Sequence, residues 1–259
     1  MVSYLLWSIL AILIFQSLFF IIAWNKKNNA FADIAWGGGF IVLMAVTWKL
    51  SGAFSIRQTL LGIAVCIWGI RLIIHIAIRN RGKKEDFRYR EMRERWGKSA
   101  IWYSYTRVFL FQGLLMFIIG LPILLVNRSS GNSLTVADFL GAALWISGFL
   151  FETIADAQLR HFIKHRKKTS SNIMDRGLWK YSRHPNYFGE SVMWWGIFLI
   201  SFSVPYGWAG IVSPLLITFL LVKVSGIPPL EKHFQDNPAY QEYAGRTSVF
   251  VPWIPTRKR

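Results

Sequence analysis

The 30 Lys and Arg residues of this chain are not scattered; nearly all fall in every second gap between long apolar stretches. Seven stretches are apolar and long enough, or nearly so, to cross a bilayer: Ser3 to Trp24, Ile34 to Leu50, Thr59 to Ile78, Val108 to Val126, Val136 to Thr153, Gly189 to Tyr206 and Trp208 to Lys223. At about 1.5 Å of rise per residue, the first alone covers roughly the 30 Å hydrocarbon layer. If the amino terminus lies outside, the inner connections are 25–33, 79–107, 160–188 and the tail after Val222, holding 2, 10, 8 and 6 basic residues. Only Lys49, Arg57 and Arg128 fall on the outer side, and Arg71 lies within the third span. That asymmetry follows the positive-inside rule and predicts an odd number of crossings with an inner C-terminus. The fold class expected is therefore an all-α, multi-pass membrane bundle of about seven helices.

The net charge of +17 would raise nucleic-acid binding in a soluble protein. Here topology and anionic inner-leaflet lipid account for it, so membrane lipids are expected partners and nucleic acid is not. No obligate protein partner is implied. Cys66 is the sole cysteine and excludes an internal disulfide. The first apolar run is longer than a signal core and lacks a basic leader, which predicts a retained anchor.

Short outer loops and the lack of a linker or repeat predict one membrane domain over 1–259. Within it, 1–130 is read as a substrate-side half and 131–259 as a cofactor-binding half. The inner stretch Lys83 to Trp96 predicts an interfacial helix, with Phe87, Tyr89, Met92 and Trp96 on or near its lipid-facing side. The run Gly37 to Gly39 does not fit a dinucleotide-binding glycine fingerprint and follows no strand, so it predicts close helix packing.

Ionisable groups at membrane depth are costly, which makes each one a functional candidate. Glu152, Asp156, Arg160 and Lys164 are spaced by four and form a ridge that turns from acidic to basic as the fifth span ends. A salt-bridged helix end whose cations suit the C-terminal dipole is the bland alternative. The next segment, DRGLWKYSRHPNYFGESVMWW, places Tyr181, Arg183, His184, Asn186, Tyr187 and Glu190 within ten residues where the sixth span begins. Capping and interfacial anchoring account for Tyr187 and Arg183 taken singly, but not for so many donors and acceptors together.

That block, GLW-YSRHPNYFGE, together with SGIPPLEKHF and YQEYAGRTSVFVPWIP further on, resembles the steroid 5-alpha-reductase superfamily and in particular its bacterial branch. DIAWGGG from Asp33 and KKEDFRYREMRERWG from Lys83 fit the same branch. The resemblance implies a seven-span reductase whose C-terminal half holds NADPH near the cytoplasmic face. It assigns Asp156 and Arg160 to a polar helix end, and Tyr181, Asn186 and Glu190 to the Gly-Leu-Trp block. Arg160, Lys164, Arg183 and Arg246 would then meet phosphates through charge-assisted bonds while acidic groups hold ribose hydroxyls. His184, Tyr187 and Tyr243 complete the implied cofactor set.

In such a reductase the cofactor delivers hydride to the β carbon of a conjugated carbonyl, and an acid near the carbonyl oxygen stabilises the developing enolate. The substrate implied is a steroid-like or other lipid-like small molecule. The Gln-Glu pair that contacts the enone in animal relatives is not found here. Asp33, His75 and Tyr89 are the candidates to replace it, with Arg71 on the same helix face as His75. Membrane methyltransferases that use S-adenosylmethionine to modify isoprenyl or phospholipid substrates also resemble this chain around RHPNY, Arg183 to Tyr187, and near an acidic residue and a Tyr in the tail, and form the alternative. Five His without repeated clusters give no metal site. The bacterial cytoplasmic membrane is expected over the endoplasmic reticulum, from the branch resembled.

Overall fold

The computed structural model describes residues 2–52, 54–129, 131, 133–165 and 173–256. Arg166, Lys167 and Lys168, the end of the basic series that begins at Arg160, lie outside the described residues, as do Arg257, Lys258 and Arg259. The described chain is helical, with no strand; one isolated parallel bridge joins Ser182 and Ser248. Its helices are α1 (Val2–Asn25), α2 (Phe31–Ser51), α3 (Ile56–Asn80), α4 (Phe87–Trp96), α5 (Ala100–Tyr103), α6 (Phe111–Ile119), α7 (Leu121–Arg128), α8 (Val136–His165), α9 (Pro185–Phe202), α10 (Val212–Phe219), α11 (Ile227–Phe234) and α12 (Pro238–Arg246).

An all-α membrane bundle is what these helices form, but not with seven evident crossings. Five described segments are long and apolar enough to span: Ser3–Asn25, Phe31–Ser51, Ile56–Asn80, Val136–His165 and Gly207–Phe234. A sixth arises if Phe87–Ile119 and Leu121–Arg128, bent by 47° at Gly120, count as one broken span. The stretch expected as the sixth crossing, Gly189 to Tyr206, instead lies largely within α9, which is not among the five; its first turns carry Asn186 and Glu190. The exterior agrees with a lipid environment. Leu6, Leu10, Ile14, Leu18 and Ile21 of α1 are all exposed, a continuous apolar face that water would not favour.

The chain divides into two compact units, Met1–Phe139 with Phe198–Ser213, and Leu140–Ile197 with Pro214–Arg259. In the first unit α2 is central and packs against α1, α3, α6 and α7. Its three consecutive glycines explain how. Successive helical residues point 100° apart, so each glycine admits a different neighbour. A methyl on Gly37 would lie 2.9 Å from the Gly69 carbonyl of α3, one on Gly38 2.7 Å from the Phe15 ring of α1, and one on Gly39 would strike the Met116 sulfur of α6. The expectation of close packing at this run is met.

At the start of α3, Ser55 and Gln58 form a reciprocal capping box. Next to it, Arg57 donates from Nε to Asp138 Oδ1 at 2.7 Å and from Nη2 to Asp138 Oδ2 at 2.8 Å. The second carboxylate oxygen also accepts from the backbone and hydroxyl of Thr135, and Arg57 reaches the Ser133 carbonyl. Both residues are buried, and the forked pairing is the strong, charge-assisted kind.

In the second unit α8 and α9 run antiparallel and touch through glycines seven residues apart. A methyl on Gly148 would lie 2.6 Å from the Gly189 carbonyl, and one on Gly196 2.6 Å from the Gly141 carbonyl. Small residues let the two backbones meet, as in membrane helix pairs generally. This approach sets Glu152 and Asp156 of α8 beside Asn186 and Glu190 of α9.

Candidate functional site

The ridge predicted from spacing is real to the extent that Glu152, Asp156, Arg160 and Lys164 all lie on α8, which runs unbroken to His165. Glu152 and Asp156 are buried; Arg160 and Lys164 are exposed. Across from them, Asn186 in the first turn of α9 donates from Nδ2 to Asp156 Oδ1 at 3.2 Å. The Asn186 side-chain carbonyl is buried and accepts no hydrogen bond among the described residues. An unsatisfied buried acceptor costs about 1–3 kcal/mol. Glu190, one helical turn beyond Asn186, is buried as well.

The chain reaches α9 through a loop fastened to α8. The indole of Trp179 donates to the Ala155 carbonyl at 3.0 Å, and the amide of Leu178 donates to Gln158 Oε1 at 2.9 Å. Gly177 precedes them with φ of 59°, and any side chain there would run into Gln158. The tail locks the same loop from the other side: Arg183 N donates to the Ser248 carbonyl, Ser182 Oγ to the Phe250 carbonyl, and Trp253 N to the Tyr181 carbonyl. Tyr243 of α12, expected among the cofactor residues, is buried and gives its hydroxyl to the Trp179 carbonyl at 2.5 Å. Burial, and then the neighbouring Tyr240, push its ionisation up, so it stays a donor.

Arg183 and His184 converge on a residue that sequence reasoning did not single out. Glu231 of α11 accepts from Arg183 Nη1 at 2.5 Å, from His184 Nε2 at 2.8 Å and from the Tyr240 hydroxyl at 2.5 Å. Burial and this carboxylate together raise the Tyr240 ionisation above its ordinary range. The Nε of Arg183 remains buried and without an acceptor among the described residues. Tyr187 stacks on His184 at 5.7 Å with the rings nearly parallel. Arg183 lies just before α9. Tyr181 is exposed, with the Lys180 ammonium 5.7 Å from its ring, and Arg246 pairs with Asp175 at 2.7 Å on the surface. The signal for Glu231 was present in SGIPPLEKHF, where it is the single acid, but nothing in its spacing ties it to Arg183 and His184.

The N-terminal candidates occupy the first unit. Tyr89 donates its hydroxyl to Asp33 Oδ1 at 2.5 Å, while Asp33 Oδ2 lies 3.4 Å from Arg88 and 3.7 Å from Arg79. Here one expectation is corrected: Tyr89 does not face lipid. It is buried with Ala23, Ala30, Ala32, Val108 and Phe109, and Trp96 packs on the same cluster. The reason is the anchoring of α4 by Asp86, which caps it through the Arg88 amide and holds the Arg88 side chain. That fixes the rotation of the helix so that Tyr89 turns toward Asp33. Although burial pushes the Asp86 carboxyl up, its bonds to Arg88 prevail and hold it below the ordinary range. His75 is half-buried on α3, one turn before Arg79 and one after Arg71. Asp33 and Tyr89 are thus joined directly, and His75 sits on the helix face that presents Arg79.

Residues 19–247 match the family described as "Protein of unknown function (DUF1295)". The chain belongs to this family. It is also similar to two curated proteins named 3-oxo-5-alpha-steroid 4-dehydrogenase 1. That from Bos taurus is 29% identical over 114 residues, 44% of this chain and 41% of the relative. That from Rattus norvegicus is 28% identical over 115 residues, 44% of this chain and 40% of the relative. The chain therefore spans about two-fifths of the length of the curated relatives it matches. No solved structure matches it. The resemblance to the steroid 5-alpha-reductase superfamily is borne out by these relatives.

Proposed function

We propose that this membrane protein is an oxidoreductase that uses NADPH to reduce a conjugated carbon–carbon double bond in a steroid-like or other lipid substrate. The observation that carries the reading is the Asp156–Asn186 pair. It combines a buried carboxylate with a buried, unfilled amide acceptor, one and two turns before the exposed cations Arg160 and Lys164. Ribose hydroxyls suit the first two groups and phosphate oxygens the last two. The buried Nε of Arg183 offers a further donor. The residues present therefore fit a dinucleotide, and the two relatives named as steroid 4-dehydrogenases support the redox assignment.

In this reading the C-terminal half, 131–259, holds the cofactor, whose bound form supplies hydride. Asp156, Asn186 and Glu190 orient it, with Tyr181, His184 and Tyr187 lining the same loop and helix start; Arg246 and Tyr243 brace the loop. The N-terminal half, 1–130, receives the substrate. There Tyr89 and Asp33 are the proton-handling pair: the Tyr89 hydroxyl rests on Asp33 Oδ1, with Arg88 and Arg79 flanking Asp33 Oδ2, and must turn from that carboxylate to the substrate to donate. His75 stands beside Arg79 as a second proton-bearing group. A bacterial cytoplasmic membrane is the proposed location.

The test is a pair of titrations on purified protein, with NADPH and with S-adenosylmethionine, followed by thermal unfolding. A ligand present at about 100 times its Kd adds about 2.7 kcal/mol to stability. NADPH is expected to raise the midpoint. Stabilisation by S-adenosylmethionine with none from NADPH overturns the proposal in favour of a membrane methyltransferase. One observation favours that second reading: Arg183 and Arg246, expected to meet phosphates, are paired with Glu231 and Asp175, and an uncharged adenosyl ribose needs neither.

A further inference from the structure

A cavity of about 360 Å³ opens in the first unit between the α1–α2 turn and the segment entering α4. Lys26, Lys27, Asn28, Lys83, Lys84, Glu85, Arg90 and Arg93 line it, six cations against one carboxylate. That carboxylate is already engaged. Glu85 accepts from the Asn29 amide at 2.7 Å and pairs with Arg93 at 2.7 Å, and Arg93 also donates to the Lys27 carbonyl at 3.0 Å. Among the described residues no acid pairs with Lys26, Lys27, Lys83, Lys84 or Arg90. Five cations without an acidic partner thus surround one space, and an anion entering it would lower their mutual repulsion.

The walls are built rather than accidental. Lys27 sits at φ 50°, in the left-handed region that a non-glycine residue seldom adopts. Asn28 holds the turn by accepting from the Ala30 amide, and the buried Asn29 side chain donates to Ser104. Adjacent to the cavity, α1 presents Leu18 and Ile22, both exposed, and the helical bonding continues to Lys26, whose amide donates to the Ile22 carbonyl at 3.0 Å. Leu18, Ile22 and Lys26 are spaced by four, so an apolar stripe runs along one helix face and ends at a cation on the rim. An anion with acyl chains matches both parts; a free anion matches only one.

We propose that this cavity binds the phosphate headgroup of an anionic phospholipid of the inner leaflet, with its chains lying along the Leu18–Ile22 face of α1. The site is independent of the nucleotide reading, since none of its lining residues belongs to that constellation. Basic clusters immediately inside a membrane helix draw anionic lipid, and here they are shaped into a recess.

The test uses the full chain in detergent, titrated with phosphatidylglycerol, with phosphatidylcholine and with inorganic phosphate, reading the thermal midpoint. Phosphatidylglycerol is expected to raise it, phosphatidylcholine and phosphate to do so at least tenfold less effectively. The triple variant Lys26→Gln/Lys83→Gln/Lys84→Gln should need at least tenfold more phosphatidylglycerol, while its midpoint without lipid stays level or rises as repulsion is relieved. A control triple, Lys98→Gln/Lys180→Gln/Lys232→Gln, removes equal charge elsewhere and should titrate as the parent does. Equal losses in both triples, equal stabilisation by both lipids, or stabilisation by phosphate alone overturns the proposal. The single variant Lys84→Gln repeats the comparison on one exposed chain, with a smaller shift in the same direction expected.

Discussion

Asp138 and Asp156 lie on one helix, are both buried, and behave differently. Asp138 is closed on all sides: a forked Arg57, the backbone and hydroxyl of Thr135, and the capped start of α3 beside it. Asp156 is met by Asn186, whose own carbonyl is buried with nothing to accept, and the helix then continues into exposed Arg160 and Lys164. A buried charge signals cost, but completeness of its partners tells whether that cost is already met. Arg57 and Asp138 hold each other through a fork and stabilise the fold, whereas the Asn186 carbonyl keeps an acceptor unused among the described residues, which is what the proposed ligand would fill.

Four measurements press on this contrast. Asp138→Ala leaves Arg57 buried and unpaired, so stability should fall by about 3–5 kcal/mol, seen as a lower unfolding midpoint in detergent, with NADPH affinity of the folded fraction unchanged. Arg160→Ala or Asn186→Ala should do the reverse. Affinity for NADPH should drop at least tenfold, in Arg160→Ala from loss of a charge-assisted bond worth about 1.5–3 kcal/mol and in Asn186→Ala from a ribose hydroxyl left without its acceptor, and in Arg160→Ala stability should move by no more than about 0.5 kcal/mol. Equal loss of stability in the Asp138 and Arg160 variants would erase the distinction. Tyr240→Phe removes one bond to Glu231 and should cost about 1 kcal/mol, leaving Arg183 and His184 to hold the carboxylate.

The smallest effect is a pH dependence. Tyr240 and Tyr243 both ionise above their ordinary range in the folded protein, through burial first. Their contribution is fully present below the ordinary tyrosine range and is lost as pH rises through the elevated folded values. The unfolding midpoint should therefore decline once pH exceeds about 10, and the double Phe variant should flatten that decline.

The apolar runs and the sorting of cations made the membrane bundle legible, because both are properties of segments and survive errors of a few residues. The number of crossings was less so: α9 opens with Asn186 and Glu190, and the stretch around Gly120 bends, which a count of apolar residues does not register. Asp156 and Asn186 were singled out because their types are costly at that depth. Their pairing needed the glycine contacts between α8 and α9, which depend on two helices at once. Glu231 escaped for the same reason, since Arg183 and His184 lie nearly fifty residues away. Tyr89 was placed on the wrong side because a ten-residue amphipathic pattern fixes a face but not what the face meets; the Asp86 cap and Asp33 decide that.

The glycines at 141, 148, 189 and 196 have a consequence for motion. With backbone against backbone, neither helix can slide past the other without forcing a neighbouring side chain into main-chain atoms, so the pair has a single register. The spacing between Asp156 and Asn186 is therefore set by the two backbones, as by a ruler, and does not depend on the loop and tail that flank the pair.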